Sequence, residues 1–87
     1  MPTPSEAKVI ESIAEVFENK GVKPPPLGAE TRLDASLGLD SLDFAELVVR
    51  LEAQFGADPF SQGAPTPVRT IGQLAKLYEE ALYEQVQ

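Results

Sequence analysis

The stretch Leu37-Gly38-Leu39-Asp40-Ser41-Leu42-Asp43 marks the place where a long, irregular connection gives way to a helix. Asp40 is a suitable N-cap, because its carboxylate accepts hydrogen bonds from the free N–H groups of the first turn. Asp43 adds a second negative charge to that turn, where the helix dipole favours it. Ser41 is therefore expected at the helix N-terminus with an exposed hydroxyl, where an attached phosphate would be stabilised. Taken alone, Asp-Ser before an apolar run is also an ordinary helix start.

After this stretch, apolar residues recur at steps of three and four and predict a helix from Asp40 or Ser41 to about Phe55. Gly56 ends the pattern, because glycine readily adopts the left-handed conformation that follows many helices. We expect the main apolar face to consist of Ala45, Leu47, Val48, Leu51 and Phe55.

The N-terminal segment predicts another amphipathic helix. Thr3 as N-cap, Pro4 at the first helical position and Glu6 together make a T-x-x-E capping box. Asn19-Lys20-Gly21 is a good stop signal. The buried stripe of this helix is expected to consist of Val9, Ile10, Ile13, Val16 and Phe17.

The connection between these two helices runs from Val22 to Leu39 and cannot be a regular helix, since Pro24-Pro25-Pro26 and Gly28 interrupt it. A loop of this length is unusual in a small domain unless it packs or has a role. Its apolar residues indicate that it packs across the bundle; they are Leu27, Leu33, Leu37 and Leu39. We therefore predict an ordered crossover.

The C-terminal third predicts one more main helix. Residues 57–69 contain two clusters of glycine or proline and leave room for at most a short helical turn at 59–62. Thr70-Ile71-Gly72-Gln73 is a second capping-box pattern, followed by a helix to about Tyr83. Its inner stripe is expected to be Ile71, Leu74, Ala75, Tyr78, Ala81 and Leu82. Since no segment alternates like a strand, the predicted fold class is all-α: a small bundle of three main helices plus a possible short fourth, with a long loop between helices one and two.

The length and composition of the chain exclude several classes of function. With 87 residues the chain is expected to form a single domain, residues 1–87, and no apolar run approaches the length of a membrane span. Because the N-terminus has no signal-like segment, we expect a cytoplasmic protein. The chain has no cysteine and no histidine, which removes disulfides, thiolate zinc sites and the usual general base. The net charge of −7 argues against nucleic acid as a partner; it either favours a partner with a basic patch or only keeps the domain soluble.

The opening stretch also has a wider context. Followed by Glu46-Leu47-Val48 and then by Leu51-Glu52 and Phe55, it resembles the acyl carrier and peptidyl carrier protein family. The resemblance covers nearly the whole chain. It includes the acidic first helix, the long crossover loop, the serine that opens the second helix and the T-x-x-Q start of the last helix.

The resemblance implies a covalent cofactor. In that family the serine of the D-S-L motif, here Ser41 between Asp40 and Leu42, accepts 4′-phosphopantetheine from coenzyme A through a phosphopantetheinyl transferase that uses Mg²⁺. The thiol at the end of the arm then holds an acyl or aminoacyl group as a thioester, which fits a chain without cysteine. The protein itself would not be an enzyme, because the chemistry belongs to the transferase and to the arm.

The resemblance further implies that the helix starting at Ser41 is read by partner enzymes with basic docking patches: acyl- or aminoacyl-loading enzymes and downstream synthases. The expected contact residues are Asp43, Phe44, Glu46, Val49 and Glu52, with Leu42 beside them. The acidic residues could equally form a solvated face, and Arg50 can pair with Glu46 at i, i+4. Phe44 either covers the core or is exposed; we favour exposure, because large exposed aromatic side chains tend to mark interfaces. The carrier is expected to be a monomer.

Two departures from fatty-acid-type carriers favour a specialised pathway over housekeeping fatty-acid synthesis. Where those carriers continue into an acidic stretch with an Ile-Pro step and a short helix, this chain has Gly56-Ala57-Asp58-Pro59-Phe60 and a segment rich in glycine and proline. Arg69 makes this end less acidic as well. The cargo would then be an amino acid loaded by an adenylating ligase or a polyketide-type acyl group. The alternative is a small acidic helical interaction module with no prosthetic group.

Overall fold

A computed structural model describes residues 3–56 and 68–86 of the chain, except for the side chains of residues 35 and 82–86. These residues form α1 (Pro4–Asn19), a short 3₁₀ turn (Ala35–Leu37), α2 (Ser41–Phe55) and α3 (Ile71–Val86). The prediction of a small all-α bundle is confirmed. The short turn predicted at 59–62 lies outside the described residues. Within the described ranges, no helix combines the length and the apolar character needed to cross a membrane.

The first helix begins and ends where its capping residues predict. The Glu6 N–H donates to Thr3 Oγ1 over 3.1 Å, and the Thr3 N–H donates to Glu6 Oε1 over 2.9 Å, which confirms the capping box. Lys20 is the C-cap, and Gly21 follows with a φ of 74°, which few side chains tolerate. α1 therefore ends with Lys20 beside the connection that leads to α2.

α2 also has its predicted bounds, with Asp40 as N-cap and Gly56 as a left-handed C-cap. Its buried residues follow a spacing of four: Asp43, Leu47, Leu51 and Phe55. The expectation that Ala45 shares this face is wrong, since Ala45 is exposed. Two residues correspond to about 200° of helical rotation, which places Ala45 opposite its buried neighbours. Val48 is half-buried at the edge of the inner face.

α3 is longer than predicted, since it reaches Val86 and not only Tyr83. Its start is half of a capping box. The Gln73 N–H donates to Thr70 Oγ1 over 3.2 Å, but Gln73 Oε1 accepts from the Arg69 N–H over 2.7 Å instead of from Thr70. Of the predicted stripe, Ile71, Leu74, Ala75 and Tyr78 are buried, Ala81 is half-buried, and the Leu82 side chain lies outside the described residues.

The three helices share one apolar core. Its buried members are Val9, Ile13, Val16, Phe17, Leu47, Leu51, Phe55, Ile71, Leu74, Ala75 and Tyr78, and Ile10 packs against them while partly buried. The rings of Phe55 and Tyr78 stack with their centroids 5.1 Å apart and so join the end of α2 to α3. This core fixes where α2 lies relative to the other two helices.

The connection between α1 and α2 is ordered, as predicted. Its four leucines are partly buried against the core: Leu27, Leu33, Leu37 and Leu39. The sequence did not predict that it pairs with the start of α3. The Leu33 N–H donates to the Arg69 carbonyl oxygen over 2.7 Å, and the Ile71 N–H donates to the Thr31 carbonyl oxygen over 3.0 Å. These hydrogen bonds hold the middle of the connection against the bundle, and its last residues then lead into α2.

Candidate functional site

Ser41 is the first residue of α2, and it is exposed. Leu42, which follows it, is 81% exposed. The prediction that Ser41 lies uncovered at a helix N-terminus is therefore confirmed. A hydroxyl at this position can carry a phosphate ester, because the helix dipole and the free N–H groups of the first turn favour negative charge there.

Two aspartates stabilise the turn around Ser41, which consists of residues 38–43. The Asp43 N–H donates to Asp40 Oδ1 over 2.8 Å, and the Asp40 N–H donates to Asp43 Oδ2 over 3.2 Å. They form a reciprocal capping box, which satisfies two backbone donors at this helix end. The sequence predicted Asp40 as the cap but gave Asp43 only a favourable charge, because the usual capping-box pattern has Glu or Gln at that position.

Lys20 supports this turn from the end of α1. Its Nζ donates to Asp43 Oδ2 over 2.6 Å and to the Gly38 carbonyl oxygen over 3.2 Å. The hydrogen bond to Asp43 raises the pKa of Lys20 above its ordinary value. The same hydrogen bond lowers the pKa of Asp43 below its ordinary value. Sequence reasoning missed Lys20, since it is 23 residues away from Asp43 and no local pattern reports a contact at that range.

The turn begins at a glycine with a special backbone conformation. Gly38 has a φ of 98°, a region that residues with a side chain rarely adopt. A Cβ at this position would meet the Phe17 ring at 3.8 Å, which is an ordinary contact distance. The backbone conformation, and not a lack of space, therefore favours glycine here.

Because the Lys20–Asp43 pair shifts both pKa values, it should make stability depend on pH. Folding lowers the pKa of Asp43, so the charged carboxylate stabilises the fold at pH values above its ordinary pKa of 3.8. This stabilisation is lost as the pH falls through the lower folded-state pKa. The pKa of Lys20 is raised, so its contribution is present below the ordinary value of 10.5 and is lost as the pH rises through the higher folded-state pKa. The pair therefore stabilises the fold at pH values between the folded-state pKa of Asp43 and that of Lys20.

We expect Asp43→Asn to lower the urea midpoint at neutral pH. The difference from the wild type should disappear in acid below the folded-state pKa of Asp43, because both chains are then uncharged at this position. The measurement is urea denaturation followed by circular dichroism at both pH values. Glu79→Gln removes an exposed carboxylate of α3 and should not reproduce the neutral-pH loss. Equal midpoints for Asp43→Asn and the wild type at neutral pH would contradict the prediction.

Two of the residues predicted to contact partners are less exposed than expected. Asp43 was expected on the surface, but only 9% of it is exposed. Its spacing of four from Leu47 places it on the inner side of α2, where Lys20 pairs with it. Phe44 is partly buried and packs against the core, which supports the interpretation that it covers the core over the favoured one of full exposure; its contact with a partner stays a prediction.

The rest of the predicted contact surface is also less acidic than the sequence indicates. Arg50 pairs with Glu46 over 3.3 Å, as predicted, and with Glu15 of α1 over 3.2 Å. Glu46 and Glu52 are half-buried, while Val49 is 66% exposed. Basic residues of the chain itself thus compensate part of the predicted acidic surface.

A separate open groove of about 560 Å³ lies between α1 and the connection. Glu6 and Ile10 line it from α1, and residues 26–31 line it from the other side. The turn around Ser41 does not line this groove, so the groove is not part of the candidate site.

The chemistry that the candidate site offers is that of a single presented hydroxyl. The chain contains no cysteine or histidine that could act as a nucleophile or base beside it. Among the side chains that the structure describes, no group of three or more Asp or Glu could hold a metal ion. The Ser41 hydroxyl is therefore suited to accept a group that a separate enzyme transfers to it.

Comparison with known proteins places this arrangement in a family context. Residues 7–77 match the protein family described as "Phosphopantetheine attachment site". The chain is 31% identical over 75 residues to an acyl carrier protein of Rickettsia bellii, a match that spans 86% of this chain and 83% of that protein.

Two further similarities differ in how much of each protein they cover. The chain is 44% identical over 50 residues to the chloroplastic acyl carrier protein 2 of Arabidopsis thaliana, which spans 58% of this chain and 36% of that protein. The solution structure of MacpD, an acyl carrier protein from Pseudomonas fluorescens involved in mupirocin biosynthesis, is similar with a TM-score of 0.71 and 38% identity. That similarity spans 84% of this chain and 66% of the MacpD chain.

Proposed function

This chain belongs to the acyl carrier protein family, and we propose that Ser41 is the residue to which its 4′-phosphopantetheine is attached. Members of the family are carriers and not catalysts, and the prosthetic group supplies a terminal thiol that bears the cargo. On this proposal the arm on Ser41 holds an acyl or aminoacyl group as a thioester and presents it to partner enzymes.

The observation that carries the proposal is the exposure of Ser41 at the start of α2. A modifying enzyme must reach the hydroxyl, and other serines of the described chain are less available. Ser12 is fully buried in α1. The Ser36 hydroxyl donates a hydrogen bond to Asp34. Ser5, in the first turn of α1, is half-buried. Among these four serines, Ser41 combines exposure with the first position of a long helix.

The surroundings of Ser41 also fit a phosphodiester, which is anionic. Asp40 and Asp43 would repel it, but each accepts a backbone N–H of the same turn. Lys20 Nζ lies 2.6 Å from Asp43 Oδ2 and compensates the negative charge of that carboxylate at close range. The helix N-terminus itself favours a negative group by about 0.3–1 kcal/mol. These effects make the acidic turn compatible with an attached phosphate.

We further infer that the cargo belongs to a specialised biosynthetic pathway. The 38% identity to MacpD, which is involved in mupirocin biosynthesis, supports this, as does the departure of residues 56–60 from the fatty-acid-type pattern. The partners would be a phosphopantetheinyl transferase, an acyl- or aminoacyl-loading enzyme and downstream synthases. The proposed contacts on α2 are the exposed Leu42 and Val49 together with Glu46 and Glu52.

The test is to incubate the purified chain with coenzyme A, Mg²⁺ and a broad-specificity phosphopantetheinyl transferase, and to measure its intact mass. We expect the whole population to gain the mass of one phosphopantetheine group. A known carrier protein treated in parallel shows that the transferase is active. If the control is modified and this chain is not, the proposal fails and an interaction module without a prosthetic group becomes the better explanation.

The pathway is tested separately with the modified chain. Candidate adenylating ligases and acyltransferases are each supplied with their substrates, and the mass of the chain reports which group is loaded. Loading of amino acids or polyketide-type acyl groups is expected. Efficient loading by housekeeping fatty-acid enzymes alone would contradict the specialised role but not the carrier role.

A further inference from the structure

Lys20 contacts the segment that contains Ser41 at two points, one on either side of it. The Gly38 carbonyl oxygen lies three residues before Ser41, and the Asp43 carboxylate lies two residues after it. Side chains of Lys20 and Asp43 are 32% and 12% exposed, so their pair is partly shielded from water. Partial shielding strengthens an ion pair relative to one on the open surface.

These two contacts act on a segment whose first half is otherwise held by Leu39, which is partly buried and packs against the core. Gly38 has no side chain, and glycine has the largest conformational freedom to lose on folding. The reciprocal capping box fixes the second half, from Asp40 to Asp43, but it does not include Gly38. Lys20 is the side chain that joins the two halves to each other and to the end of α1.

We propose that Lys20 is a positioning residue for the modification of this carrier: it holds residues 38–43 in the conformation in which a phosphopantetheinyl transferase binds Ser41. The proposal rests on the proposed function, because it takes Ser41 as the attachment residue. Lys20 touches neither the hydroxyl nor the reacting phosphate in this role. It acts by raising the fraction of molecules whose turn is already ordered.

The first test replaces Lys20 by methionine, which keeps the unbranched stem and removes the ammonium. If the ordered fraction falls, the apparent KM for the carrier rises by the same factor while kcat stays nearly constant. We expect kcat/KM for the transferase to fall about two- to tenfold, because a turn that is mostly ordered in the wild type loses only the fraction of molecules whose turn becomes disordered in the variant. Lys20→Arg should restore most of the loss, because it returns a cation to the same place.

Hydrogen exchange of the unmodified chain gives a second, independent readout. The Asp43 N–H donates to Asp40 Oδ1, so its exchange rate reports whether the turn is closed. We expect this N–H to exchange faster in Lys20→Met than in the wild type, while amides of the core helices change little. This measurement needs no transferase, so it remains interpretable if the attachment proposal itself fails.

Lys8→Met is the matched control, since it makes the same substitution within α1, of which Lys20 is the C-cap, and changes the net charge equally. Lys8 is exposed and lies over the Phe55 ring, 5.1 Å from its centroid, away from the turn. It should leave both KM and the exchange of Asp43 unchanged. The positioning role is overturned if Lys20→Met has wild-type KM and exchange, or if Lys8→Met changes them to the same extent. Absence of any adduct on the wild type would instead overturn the attachment at Ser41.

Discussion

Ser41→Ala is expected to abolish attachment of phosphopantetheine completely while leaving the fold intact. The substitution removes the only atom of the side chain that can form the ester. It should cost little stability, because Ser41 is exposed and the helix cap is Asp40, which remains. Substitutions at such surface positions usually change stability by no more than about 0.5 kcal/mol. The loss of modification would therefore report on the hydroxyl itself and not on unfolding.

The measurement is intact mass after treatment with coenzyme A and the transferase, with urea denaturation to compare stability. Ser36→Ala is the matched control, because it removes a hydroxyl from the same end of the connection, five positions earlier in the chain. That variant loses the hydrogen bond to Asp34 and should still be modified fully. A phosphopantetheine adduct on Ser41→Ala at the wild-type level would mean that the arm is attached to a different residue.

The helices were predictable because their signals are local. The T-x-x-E pattern at Thr3 and the glycine at Gly56 set helix ends through contacts within one turn, and the structure has both. The error at Ala45 has a simple origin. Small apolar residues are tolerated on either side of a helix, and only the spacing of its buried neighbours shows that Ala45 faces outward.

The site was only partly predictable for a different reason. The position of Ser41 follows from a local helix start, but the surroundings of the turn depend on how α1 packs against α2. Lys20 reaches Asp43 across 23 residues of sequence, and Arg50 reaches Glu15 across 35. The spacing along α2 places Asp43 on the inner side of the helix, and contacts of this kind decide that it is paired with Lys20 instead of forming part of an acidic surface. Charge counting along α2 cannot reveal them.

The largest effect on stability is expected from Leu51→Ala. Leu51 is fully buried in the core shared by the three helices. Truncating a buried leucine costs about 2–5 kcal/mol, because apolar contacts are lost and a cavity remains. At roughly 0.05–0.15 kcal/mol per residue, a domain of this length has a total stability of about 4–13 kcal/mol. The substitution should therefore remove a large fraction of the free energy of unfolding, measured by urea denaturation with circular dichroism.

Val49→Ala is the control on the same helix, and it should change the free energy of unfolding by no more than about 0.5 kcal/mol, since Val49 is 66% exposed. The pair also separates folding from function. If the core only serves to hold the turn at Ser41 in place, the extent to which Leu51→Ala is modified should fall in proportion to its folded fraction. Modification should then recover when the sample is cooled toward the temperature of maximum stability. A Leu51→Ala chain as stable as Val49→Ala would contradict the shared core, because a leucine in that position could then not be packed between the helices.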